Sequence, residues 1–167
     1  FFISFALAQI PIGILLDTYN PLKIIIIMLI IIFFGSILFG ISSEYYLLMI
    51  ARSLQGIGCG VCLMGPLVIL AKIAYPKNFS YYSGFIMGIG GLGALVATNP
   101  FYFVVQYIGW QNAFFNTAFI ILFVLLTLLI FFPYKELSDI KKNKTDFNLR
   151  AFKGIIKNKN FLLMLPM

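Results

Sequence analysis

Apolar residues in this chain come in long, nearly unbroken runs, and polar residues gather between them. A bilayer core about 30 Å thick takes about 20 apolar residues wound as a helix. Runs near that length predict helices at about 1–16, 22–41, 45–73, 82–107 and 113–132. Another apolar run begins at 161–167, after a polar, lysine-rich stretch over 133–160. The pattern predicts an all-α, polytopic transmembrane helical bundle, with 133–160 as the one domain boundary. Both ends, Phe1 and Met167, fall inside apolar runs, so the chain reads as a fragment with a helix missing upstream. The first run has neither a basic start nor a small-residue cleavage site, so it is not a signal peptide.

Composition agrees. Hydrophobic residues make up 62% of the chain and charged residues 10%, where soluble domains run near half and a quarter. Lys and Arg number twelve against five Asp and Glu. A nucleic-acid binder spreads such an excess over a polar surface; here it sits between apolar runs, and no nucleic-acid partner is expected. Lys23 lies in the first connection, Lys72 and Lys77 in the third. Lys135, Lys141, Lys142, Lys144, Arg150, Lys153, Lys157 and Lys159 lie in the fifth. The second and fourth have no Lys or Arg, and offer Glu44 and Trp110. Alternate connections share a side, so the positive-inside rule puts the first, third and fifth in the cytoplasm of a plasma-membrane protein. The fifth is a basic linker suited to anionic lipid, and within it 147–157 has the spacing of an amphipathic surface helix. The triplets Asn78-Phe79-Ser80 and Asn143-Lys144-Thr145 fall on that inner side and read as chance glycosylation matches.

Candidate chemistry is sparse. The chain has no His, which removes the commonest general base and metal ligand. No triad, metal cluster or nucleotide-binding motif is present, so neither an enzyme nor a cofactor is expected. Cys59 and Cys62 have C-x-x-C spacing, but in an apolar run without a βαβ context they read as packing residues. Arg52 stands out. A charge inside a membrane helix costs at least about 2.5–3.5 kcal/mol near the centre, which marks it as functional. The bland alternative is snorkelling, since Arg52 lies about two turns from its helix start. Gln55 can hydrogen-bond beside it, and Gly56, Gly58 and Gly60 thin the helix for close approach.

The first connection offers Gly13 for packing, Asp17 at a helix end, and Asn20 for a left-handed turn before Pro21 and Lys23. Asp17 sits where the helix dipole disfavours an anion, so it calls for a cation or a neighbouring helix N-terminus. The fourth run holds Gly84, Gly88, Gly90, Gly91 and Gly93, then Asn99-Pro100. This predicts close packing followed by a kink, with Asn99 a candidate for cavity lining. Trp110 reads as an interfacial anchor in an outer loop.

Taken in order, these motifs resemble the major facilitator superfamily of secondary transporters. Gly13, Leu15 and Asp17 match its G-x-L-x-D-R-x-G-R-R signature between helices two and three, with Asn20 in a Gly place, Lys23 as one basic residue, and Thr18 and Leu22 departing from Arg. Arg52, Gly56 and Gly58 match its R-x-x-x-G-x-G signature in helix four. Gly109-Trp110-Gln111-Asn112-Ala113-Phe114 is similar to G-W-R-x-x-F before helix six, with Gln111 for Arg. The G-P-x-x-G-G core of the antiporter signature is absent.

The resemblance implies a partial N-terminal six-helix lobe over 1–132, the central loop over 133–160, and the start of helix seven at 161–167. It implies alternating access for a small solute, possible anionic character of that solute, and a proton or other coupling ion. Arg52, Gln55 and Asn99 are the coupling or substrate candidates. Gly13, Asp17 and Lys23 form the cytoplasmic gate motif, and Gly56, Gly58, Gly60, Gly84, Gly88 and Gly91 are the packing glycines. The partners are the solute, the ion, the bilayer and the rest of the chain. A non-transporting sensor or scaffold on the same fold is the alternative.

Overall fold

A computed structural model describes residues 1–73 and 76–131. The basic loop over 133–160, its amphipathic segment and the helix start at 161–167 lie outside the described residues. Six α-helices follow in order: α1 Phe2–Thr18, α2 Pro21–Ile41, α3 Tyr45–Ile73, α4 Pro76–Val96, α5 Asn99–Ile108 and α6 Trp110–Phe131. The described residues contain no strand.

α2 sits centrally, packed most extensively on α3 and next on α6; α1 lies against α3. The reason is in the side chains. α1 presents Ala8, Ile12 and Leu16 at four-residue spacing, and these meet Ile24 and Met28 of α2 and Val61 of α3. Leu16 is fully buried and Ile12 is 2% exposed. Outward residues such as Phe34, Phe85 and Phe123 are bare. In lipid an apolar exterior is the favourable one, so association rests on close packing and hydrogen bonds rather than on escape from water. Pro21–Ile41, Tyr45–Lys72, Asn78–Ile108 and Trp110–Phe131 are long and apolar enough to cross a membrane.

Three sequence expectations change. The helix expected over 82–107 is two helices, and it begins earlier, at Pro76. Pro100 lacks an N–H, and its ring clashes with the carbonyl four residues back, at Val96, where α4 ends. The Thr98 hydroxyl donates to the Leu95 carbonyl at 2.7 Å and caps the break. Trp110 is not in a loop. Only Gly109, at φ +81°, separates α5 from α6, and Trp110 opens α6. A positive φ is what glycine permits at low cost, so one residue is enough for the turn. Asn20 is not left-handed. Its φ of −66° and ψ of 119° are extended, and its side chain accepts from the Leu22 N–H at 3.0 Å as an N-cap, with Pro21 pre-set at the first helical position.

Candidate coupling site

Glycines bring α3 against its neighbours. A Cβ on Gly58 would lie 2.8 Å from the Met28 carbonyl oxygen of α2 and would strike the Ile32 side chain. One on Gly56 would lie 2.6 Å from the Phe1 carbonyl and strike Ser4 of α1. One on Gly60 would lie 2.9 Å from Ile12 Cδ1. Gly56 and Gly60, four apart, therefore face α1, while Gly58 faces α2. Gly35 on α2 answers from the other side, with its missing Cβ 3.1 Å from Gln55 Cγ and 3.2 Å from the Ala51 carbonyl oxygen.

Where α2 and α3 approach, a polar chain crosses the lobe. Arg52 Nη1 donates to Gln55 Oε1 at 3.4 Å, and Gln55 Nε2 donates to Ser36 Oγ at 3.2 Å. Gln55 is 6% exposed and Ser36 3%. Such groups, buried in an apolar bundle, need each other, because an unsatisfied polar group costs about 1–3 kcal/mol. Among the described residues no buried side-chain nitrogen or oxygen lacks a partner. The Arg52 guanidinium carbon also lies 4.2 Å from the Phe39 ring centre and 4.6 Å from that of Phe114. These rings touch at 4.5 Å, and Trp110 and Phe101 brace them at 5.6 and 5.7 Å. Arg52 is thus turned toward α2 and α6.

The two expected site groups lie at opposite ends of the lobe. At the Arg52 end, Gln111 Nε2 of α6 donates to Ser43 Oγ at 3.3 Å, and the Gln111 carbonyl oxygen would lie 3.1 Å from a Cβ on Gly40. At the other end Asp17 closes α1 and is exposed. Lys72 of α3 reaches not its carboxylate but the Leu16 carbonyl, at 3.3 Å, compensating the α1 C-terminus. Lys23 is exposed near it, and a Cβ on Gly13 would have no described neighbour within 4 Å. Asn99 begins α5 beside the Pro100 break. Gly84, Gly88, Gly90, Gly91 and Gly93 on α4 all face open space among the described residues.

An apolar groove of about 390 Å³ lies between α3 and α4, lined by Cys62, Leu63, Pro66, Ile86, Ile89 and Gly90. None of the Arg52 contacts lines it. Cys59 is half-buried and Cys62 exposed, both as free thiols. No group of three or more potential metal ligands occurs among the described residues.

Ser36 and Phe39 belong to the site and were not singled out from sequence, and Phe114 was noted only as the aromatic of the Gly109–Phe114 motif, not as a site residue. Ser36 had a signal, as the one polar side chain besides Lys23 in an otherwise apolar α2. Phe39 had none, being one of nineteen Phe, and the motif holding Phe114 did not link it to Arg52.

A stacked set of apolar helices, held together by interlocking glycines, defines a multi-pass α-helical membrane protein. The sequence model of the Major Facilitator Superfamily matches residues 1–167, and the chain belongs to that family. It is 29% identical over 161 residues to an uncharacterised transporter of Buchnera aphidicola, covering 95% of this chain and 40% of that protein. It is 24% identical over 147 residues to the multidrug efflux pump SdrM of Staphylococcus aureus, covering 87% and 33%. It is 34% identical over 116 residues to the quinolone resistance protein NorA of Staphylococcus aureus, covering 60% and 30%. The chain therefore spans 40% or less of the length of these relatives. No solved structure matches it at a significant level.

Proposed function

We propose that the whole protein moves a small solute across the plasma membrane by alternating access, driven by an ion gradient, and that this chain supplies most of its N-terminal lobe. The observation that carries the reading is Arg52, a half-buried charge tied by Gln55 to Ser36 in a chain of this family. A cation kept in lipid at a cost of several kcal/mol is explained by a task. Arg52 is the residue that meets an anionic group of the solute or senses the coupling proton, with Gln55 holding it. Asn99, at the broken helix, lines the path. Gly13, Asp17 and Lys23 work the opposite end as a gate, on the cytoplasmic side that the lysines mark. The small-residue face of α4 takes a helix from the remainder of the transporter, since glycines facing lipid gain nothing.

The names of the relatives supply probes. Full-length protein in proteoliposomes is given a fluorescent quinolone and a fluorescent lipophilic cation, with and without an imposed proton gradient. Gradient-dependent flux of either probe supports the reading. Binding without flux, across these probes and a panel of organic anions, contradicts it and leaves a sensor or scaffold.

A further inference from the structure

Arg52 poses an electrostatic problem that the transport reading leaves open. The chain has five acidic residues, and two of them, Asp17 and Glu44, are described. Asp17 lies at the far end of the lobe, and Glu44 precedes α3 by one residue, eight positions from Arg52, or about 12 Å along a helix. The contacts that Arg52 makes among the described residues are Gln55, Phe39 and Phe114, and none is a carboxylate.

Ring geometry shows what replaces it. Separations of 4.2, 4.6 and 4.5 Å make the guanidinium carbon and the two ring centres a near-equilateral triangle. The rings therefore lie on one side of the cation, at 60° to each other, and form a notch beneath it. They do not sandwich it. An aromatic face carries negative charge density, and a ring within about 6 Å attracts a cation most strongly where water is excluded. The guanidinium has five N–H donors in one plane, and Gln55 takes one. Phe39 comes from α2 and Phe114 from α6, and Gly40 lets those helices touch, so the notch exists only while α2 and α6 stay in contact.

We propose that Phe39 and Phe114 are positioning residues that seat Arg52 from one side in place of a carboxylate and present its free N–H edge to an oxygen acceptor of the solute, a carboxylate or a carbonyl. This rests on the reading of Arg52 as the residue that meets the solute. A seat of rings, unlike a salt bridge, leaves the donors unspent; a carboxylate would occupy two of them and compete with the solute. Simple core filling is the competing account, and there a ring's shape matters but its charge distribution does not.

The test separates the two. Phe114 in the full-length protein is replaced by mono-, di- and trifluorophenylalanine, which weaken the ring's negative face while nearly keeping its shape. The rate at which phenylglyoxal modifies Arg52 in membranes is read by mass spectrometry of its peptide. The seat predicts a stepwise rise, about twofold at the first fluorine and on the order of tenfold at the third, with Phe114→Tyr close to wild type. A flat series overturns it. Thermal unfolding adds a check: Phe114→Leu lowers Tm less in an Arg52→Gln background than in wild type, and equal losses also overturn it. A graded series without quinolone flux contradicts transport and not the seat, whereas a flat series with normal flux does the reverse.

Discussion

α3 and α4 carry the same sequence feature and do different things with it. Each is a long apolar helix with closely spaced glycines, and each reads as a packing helix. On α3 the spaces left by Gly56, Gly58 and Gly60 are filled by atoms of α1 and α2. On α4 those left by Gly84, Gly88 and Gly91 are empty among the described residues. A glycine allows another backbone to come close; it does not supply the backbone. The residue types state a capacity, and the neighbours decide whether it is used.

Substitutions can break or sharpen that contrast. Gly58→Val should do most damage, because its Cβ meets the Met28 backbone carbonyl, which cannot swing aside. A loss of about 3 kcal/mol or more is expected, seen as a large fall in the Tm of detergent-solubilised full-length protein or as failure to fold. Gln55→Leu follows. It removes the acceptor of Arg52 and the donor to Ser36 together, costing about 1–3 kcal/mol. Gly60→Ala is milder, about 1 kcal/mol, because the atom it meets is the flexible end of Ile12. Gly88→Ala is the smallest effect and the most telling in sign. Covered by a helix of the remaining protein, it costs up to about 1 kcal/mol. A gain of that size, the advantage of Ala over Gly in an unpacked helix, would show α4 bare to lipid.

How much was legible in the sequence follows from range. Run length needs only local information, and the first three helices lie within a few residues of the runs that announced them. The break at 97–98 was half visible: Pro100 announced a kink, but only the clash with the Val96 carbonyl says where α4 must stop. The turn at Gly109 was expected but made too long: the polar Gln111 and Asn112 marked a connection between 107 and 113, whereas Gly109 alone separates the helices and Trp110 already opens α6. Arg52 was conspicuous as a charge among apolar neighbours, and Gln55 as its polar companion one turn on. Phe39 lies 13 positions from Arg52 and shares its type with too many others to be chosen, and Phe114, 62 positions away, stood in a motif that gave no hint of Arg52. Tertiary contact alone selects them.

Arg52 remains the centre of the account, and flux through the full-length protein tests it most directly. Wild type, Arg52→Lys and Arg52→Gln are reconstituted at equal density, and quinolone flux is followed under an imposed proton gradient. The account predicts robust flux for wild type, a marked reduction for Lys, which keeps the charge but not the planar fork of donors, and near abolition for Gln, with all three proteins folded. Gradient-driven flux through Arg52→Gln at the wild-type rate would contradict it.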